Sequence, residues 1–142
     1  MSIWFHTFTL DDLNKSSQKT MAEHNGIEFT EFGEDYLCAK MPVDQRNKQP
    51  AGLLHGGASV TLAETLGSFG AQLCVESTKY DCVGLEINAN HLKSVREGFI
   101  WGKAQPIHIG QKTQVWEIRI VNDMNQLTCI SRLTIAVIEK RK

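Results

Sequence analysis

The sequence has no excess of either charge. Its 15 lysines and arginines stand against 16 aspartates and glutamates, a net charge of −1 over 142 residues. A general nucleic-acid binder carries a basic excess, so that class is set aside. Closely spaced cysteines are absent too. Cys38, Cys74, Cys82 and Cys129 are scattered, and no CxxC metal or redox motif exists. An even count leaves room for two disulfides, but dispersed cysteines in apolar segments are the usual pattern of reduced core residues. No cysteine has a neighbouring signal that would activate it as a nucleophile. His6, His24, His91 and His108 show no metal-ligand spacing. The N-terminus, Met1-Ser2-Ile3-Trp4-Phe5-His6, lacks the basic stretch and apolar run of a signal peptide. A long apolar run is missing as well. Residues 56–75 carry one charge, Glu64, but also Gly56, Gly57, Gly67 and Gly70 and several hydroxyl side chains. A spanning helix needs about 20 predominantly apolar residues, so a buried soluble helix fits this stretch better. These absences point to a cytoplasmic protein with no membrane span, no bound metal and no nucleic-acid partner.

What is present is ordinary for a globular protein: 42% hydrophobic and 22% charged residues. Residues 1–142 read as a single domain, which buries roughly two-thirds of its unfolded surface. Thr9 caps a first helix whose opening turn carries Asp11 and Asp12. A short helical stretch near Met21 and His24 ends around Gly26. Residues 27–32 and 36–43 read as strands joined by a turn at Gly33-Glu34-Asp35. A polar loop, residues 44–50, leads into a long helix over residues 53–76. Strands follow at residues 82–95, 99–109, 114–121 and 127–138, with a hairpin turn at Asn122-Asp123-Met124-Asn125. In the first of these, Val83, Leu85, Ile87 and Ala89 alternate with polar residues, the pattern of a half-buried strand. No helix separates the last strands, so they pair antiparallel. The charged tail Glu139-Lys140-Arg141-Lys142 is expected to fray. The architecture is α+β: an antiparallel sheet of five or six strands wrapped around one long central helix, the pattern of the hotdog fold.

Glu64 is the residue that points to chemistry. A lone carboxylate in an apolar helix costs several kcal/mol unless it is paired, hydrated or protonated. Either it lies on a wet stripe, or it is held where burial raises its pKa or a substrate reaches it. Ser68, at i+4, shares its face. Upstream, Gln49 and His55 precede Gly56-Gly57. Paired glycines alone make only a turn. At a helix start, however, they leave N–H groups uncovered, and the helix dipole favours negative charge there. That arrangement is a polarised-carbonyl or oxyanion site. Glu64 lies about 12 Å along the axis from Gly56. One chain cannot bring both to one reacting atom, but two helices packed antiparallel about a two-fold axis can. A shared site therefore predicts a homodimer.

Gln49, Leu53-Leu54-His55-Gly56-Gly57-Ala58-Ser59 and Leu62-Ala63-Glu64-Thr65-Leu66-Gly67-Ser68 resemble the hotdog acyl-CoA thioesterases, in the branch with a glutamate in the central helix. The likeness runs over nearly the whole chain, from Trp4 and Thr9-Leu10-Asp11 through Met41-Pro42-Val43-Asp44 to Gln105-Pro106-Ile107-His108-Ile109-Gly110. The resemblance implies that Glu64 is nucleophile or general base and that the Gly56 N–H polarises the thioester carbonyl. Gln49 and His55 would assist the carbonyl or thiolate side, with Ser68 beside Glu64. Two segments would hold the coenzyme A portion: His91, Leu92, Lys93 and Ser94, and His108, Ile109, Gly110, Gln111, Lys112 and Thr113. Gly84 would lie close by. Lys93, Arg96 and Lys112 would act as counter-charges to the phosphates, although as isolated residues they read as solvated surface charges. Relatives of this branch carry Arg where Lys93 and Gln111 stand. Phe69 and the loop of residues 78–81 would shape the acyl pocket.

The implied reaction is hydrolysis of an aromatic acyl-CoA, with 1,4-dihydroxy-2-naphthoyl-CoA of menaquinone biosynthesis as the first expectation. No cofactor is implied, because CoA is part of the substrate. The resemblance extends the dimer to a dimer of dimers and admits an acyl-carrier protein as a partner. The alternatives are other aryl or acyl thioesters, including mischarged carrier-protein thioesters, and a hotdog enoyl-thioester hydratase. A non-catalytic acyl-CoA sensor would need no carboxylate at Glu64.

Overall fold

The computed structural model describes residues 1–141, so the tail residue Lys142 lies outside the described residues. Helix α1 (Leu10–Ser16) opens on a capping box. Thr9 accepts the Asp12 N–H, and the Asp12 carboxylate accepts the Thr9 N–H. Helix α2 (Met21–His24) follows, then strands β1 (Glu28–Phe32) and β2 (Leu37–Pro42), and the long helix α3 (Gly56–Leu73). The chain closes with β3 (Tyr80–His91), β4 (Phe99–Ile109), β5 (Thr113–Asn122) and β6 (Leu127–Glu139). The strands form one antiparallel six-stranded sheet in the order β1-β2-β4-β5-β6-β3. Asn125, at φ +60°, turns β5 into β6 as the sequence suggests. Among the described residues no helix is long and apolar enough to cross a membrane.

Helix α3 lies against the inner face of the sheet. Leu62, Ala63 and Leu66 are fully buried against Ile100, Trp116, Ile118, Leu133 and their neighbours. No residue from Ala58 to Leu73 is exposed. The glycines permit this closeness. A Cβ at Gly67 would stand 2.6 Å from the Leu133 side chain, and one at Gly70 2.8 Å from the Trp116 ring.

Three expectations are corrected. The helix is shorter than residues 53–76. Gly52, at φ +84°, turns the preceding loop, Leu54 bridges Lys48, and the helix starts only after the His55 cap. At the other end Cys74 caps it, its N–H reaching the Ala71 and Gln72 carbonyls. Secondly, the simple alternation in β3 breaks. A bulge between Gly84 and Glu86 inserts one residue and shifts the phase. Cys82, Ile87 and Ala89 pack on the core, while Val83 and Leu85 are 42% and 62% exposed on the sheet's outermost strand. Thirdly, the tail does not fray at Glu139 or Lys140. Strand β6 runs to Glu139, and the Lys140 N–H donates to the Lys79 carbonyl at 2.8 Å.

Candidate active site

The start of α3 leaves one donor free. His55 is the N-cap, and its Nδ1 accepts the Gly57 N–H at 2.8 Å. The His55 carbonyl takes the Ala58 N–H at 2.9 Å. That leaves the Gly56 N–H without an acceptor among the described residues. Gly56 itself packs under the His91 ring: a Cβ on it would sit 2.8 Å from His91 Nε2. The two share a cleft of about 360 Å³ with Ser59, Leu92, Lys93 and Ser94. The segment from His91 to Ser94 is thus brought to the helix N-terminus.

Glu64 opens elsewhere. It is half-buried, and among the described residues it makes no hydrogen bond or ion pair. One carboxylate oxygen points at Gly84, where a Cβ would stand only 2.9 Å away. Gly84 is thus set directly against Glu64. On its open side Glu64 borders a cavity of about 400 Å³ with Thr61, Thr65, Ser68, Phe69 and Met21. Phe69 is held edge-on against Phe29, with ring centroids 4.8 Å apart. The loop of residues 78–81 does not reach this cavity. Thr78, Lys79 and Tyr80 border a separate one beside Glu139, because β3 leaves the helix at its far end.

Other expected members are dispersed. Gln49 folds back on its own loop, its side-chain oxygen accepting the Ala51 N–H, and it borders neither cavity. His55, between Leu54 and Gly56, does not itself line the His91 cleft. It borders a pocket that shares Met21 and Thr61 with the Glu64 cavity. Ile109, Gly110, Gln111 and Lys112 border a cavity of about 790 Å³ with Phe5 and Cys74, past the C-terminus of α3. His108 packs over Gly110, and the Gly110 N–H donates to the Thr113 carbonyl at 2.8 Å. The two segments expected to hold coenzyme A therefore lie at opposite ends of the helix, and one chain does not join them. Lys93, Arg96 and Lys112 make no ion pair among the described residues.

Sequence reasoning missed Thr61, Thr65 and Met21. Thr61 sits at i−3 from Glu64, so helical spacing alone could have found it. Met21 comes from α2, which only the tertiary fold sets beside α3. All four cysteines are free thiols. Burial pushes Cys74 up to about 12 and Cys38 and Cys82 up to about 11, so none is a thiolate near neutrality.

A carboxylate facing a cavity and a free N–H at a helix end are the two elements that acyl transfer requires. Comparison with known proteins agrees. Residues 51–129 match the family model described as the thioesterase superfamily. The 1,4-dihydroxy-2-naphthoyl-CoA hydrolase of Escherichia coli is 49% identical over 136 residues, covering 96% of this chain and 98% of the relative. The proofreading thioesterase EntH of Cronobacter turicensis is 48% identical over 135 residues, covering 95% and 98%. Among solved structures, a mutant thioesterase from Pseudomonas aeruginosa with a glutamine changed to alanine superposes with a TM-score of 0.96. It is 48% identical, with 98% of this chain and all of that chain covered. Sequence and fold converge on one assignment: this chain belongs to the thioesterase superfamily, has its hotdog fold, and is a thioester hydrolase.

Proposed function

We propose that the protein hydrolyses an aromatic acyl-CoA, with 1,4-dihydroxy-2-naphthoyl-CoA as the first substrate, at a site completed by a second copy of the chain. The observation that carries this is the separation on α3. The free Gly56 N–H and the unpaired Glu64 carboxylate open into cavities with no residue in common and lie about 12 Å apart along the axis. A two-fold axis perpendicular to α3 would pack the two helices antiparallel and set Gly56 of one copy opposite Glu64 of the other. It would also bring the Lys93 segment of one copy toward the Lys112 segment of the other, giving the CoA phosphates charges from both. The outer edge of β3, with Val83 and Leu85 exposed, is the kind of strand edge that proteins cover.

In this reading the Gly56 N–H donates to the thioester oxygen, which gathers negative charge as the carbonyl carbon becomes tetrahedral. Glu64 either attacks that carbon or removes a proton from the attacking water. By either route one water is consumed, the C–S bond breaks, and the acid and the CoA thiol leave. No cofactor enters. Threonine hydroxyls favour a hydroxylated aryl group. Thr20, which also borders the Glu64 cavity, and Thr61 donate to the Ser17 and Gly57 carbonyls, which leaves their lone pairs to accept phenolic protons. The substrate places the enzyme in the cytoplasm, in menaquinone biosynthesis, and two such dimers would pair as a tetramer. A carrier-protein thioester is the second reading, favoured by the likeness to a proofreading thioesterase.

A thiol-release assay over aryl- and alkyl-CoAs and aryl-carrier-protein thioesters tests the proposal. Glu64→Ala is expected to lower kcat/KM by about 10³-fold with little change in Tm. Mixing Glu64→Ala chains with Gly56→Pro chains is expected to restore part of the activity, because each hybrid dimer holds one intact site. No recovery on exchange rules out sharing, and no thiol release from any aryl thioester removes the substrate class.

A further inference from the structure

The loop that delivers the start of α3 is open to solvent along most of its length. Across residues 44–55 only Asn47 is buried, at 6% exposure. A buried amide is tolerated when its hydrogen bonds are made, and Asn47 makes them at the end of β2. Its Nδ2 donates to the Pro42 carbonyl at 2.8 Å, and its Oδ1 accepts the Asp44 N–H at 3.1 Å. Its own N–H donates to the Asp44 carbonyl at 3.1 Å. The Asn47 carbonyl faces the other way and accepts the N–H of His55, the helix cap, at 2.8 Å. Residues 48–53 bulge out between these two anchor points, turning at Gly52. The bonds form a short sequence: strand end, Asn47 side chain, Asn47 carbonyl, His55 cap, free Gly56 N–H.

We propose that Asn47 is a positioning residue for thioester hydrolysis, fixing the His55 cap against the sheet so that the Gly56 N–H is aimed at the thioester carbonyl. It touches no substrate, and it acts through His55 and Gly56. This rests on the reading of Gly56 as the polarising donor. A preorganised donor helps only while its direction is held, and a misplacement of about 1 Å costs up to about 10²-fold in rate. Without the Asn47 amide, the segment between β2 and α3 would keep its cap and the Leu54 N–H bond to the Val95 carbonyl, but lose its side-chain tie to the end of β2.

The test uses the full chain and an aryl-CoA thiol-release assay on the wild type, Asn47→Ala, Asn47→Asp, His55→Ala and the Asn47→Ala/His55→Ala double variant. Asn47→Ala is expected to lower kcat about tenfold or more with KM within about twofold. The double variant is expected to be no slower than the slower single variant, because both changes act on one donor. Asn47→Asp keeps the acceptor for the Asp44 N–H and loses the donor to Pro42, so its kcat should lie between. If Asn47→Ala does not fold, Asn47→Asp and its double with His55→Ala carry the same comparison. Wild-type kcat in a folded Asn47 variant overturns the proposal, as do losses that multiply in the double variant or a change confined to KM. Glu64→Ala run alongside keeps the two readings apart. Full activity there strikes the site reading, whereas a dead Glu64→Ala beside a fully active Asn47→Ala strikes only the role of Asn47.

Discussion

The two ends of α3 are built for different purposes. At its N-terminus a histidine cap and a carbonyl take up the first donors but leave the Gly56 N–H free. At its C-terminus the outgoing carbonyls are closed off. The Phe5 N–H donates to Leu73 O at 2.8 Å, and His6 Nε2 lies 2.7 Å from Val75 O. Gln72 pins the next strand, accepting the Cys82 N–H at 2.9 Å and donating to Tyr80 O at 3.1 Å. Every helix end starts with unmet backbone groups. Here the unmet donor coincides with a cleft, whereas at the other end Cys74 meets the Ala71 and Gln72 carbonyls and the N-terminal segment meets that of Leu73. One end keeps a donor open to a cleft, and the other is fastened to the rest of the chain.

Four substitutions can break or sharpen that contrast. The largest effect is expected for Gly56→Pro. Proline is tolerated at the first helical position, where its fixed φ suits the helix, and His55 already has the extended backbone that a following proline demands. The change removes the free N–H and crowds only the exposed His91 ring. A loss of about 10²-fold or more in kcat is expected, with Tm nearly unchanged. A Gly56→Pro enzyme of normal kcat would erase the distinction between the ends.

Gly70→Val addresses the fastened end. Its new Cβ would stand 2.8 Å from the fully buried Trp116 ring, so overpacking should cost about 1–3 kcal/mol. Denaturant melts should show this, while kcat of the folded enzyme at low temperature stays unchanged. His6→Ala removes the ring that meets Val75 O and the Ser77 N–H and hydroxyl. A stability loss of about 1 kcal/mol is expected, again without a change in kcat. If kcat falls in either variant, the C-terminal end also serves the reaction.

The smallest effect concerns the loop leading to the N-terminus. Hydrogen bonds from the Arg46 side chain hold the Asp44 carboxyl at about 2, below its ordinary 3.8. A carboxyl lowered on folding adds stability above its unfolded pKa and loses it as pH falls toward its folded value. The pair is partly solvated, so the contribution is small. Asp44→Asn should melt slightly below wild type at pH 6, and the gap should close between about pH 4 and about pH 2. A gap that stays constant across that range would assign the difference to packing instead of charge.

Much of the fold was readable in the chain. Hydrophobic periodicity and turn residues located β4 to the residue and the other strands to within a few. Their period of two and the helical period of 3.6 are local consequences of backbone geometry. The capping box at Thr9 and the Asn125 turn are equally local. The reading failed at the β3 bulge, because an inserted residue is decided by how a strand is paired and not by its own composition. It failed also for the charged tail, since Lys140 is ordered by Lys79 and Asp81, far away in sequence.

The sequence by itself determined the chemistry available: a single carboxylate in an uncharged helix, paired glycines after a histidine, and the helical rise that sets Gly56 and Glu64 too far apart for one chain to use together. These follow from residue identity and from spacing along one element. Only the tertiary structure decided which surroundings each group receives. It laid the His91 ring over Gly56, faced Glu64 with Gly84, closed the Glu64 cavity with Met21, and carried residues 91–94 and 108–113 to opposite ends of α3. Such placements depend on contacts between distant parts of the chain, set by how the sheet closes around the helix, and no local pattern encodes them.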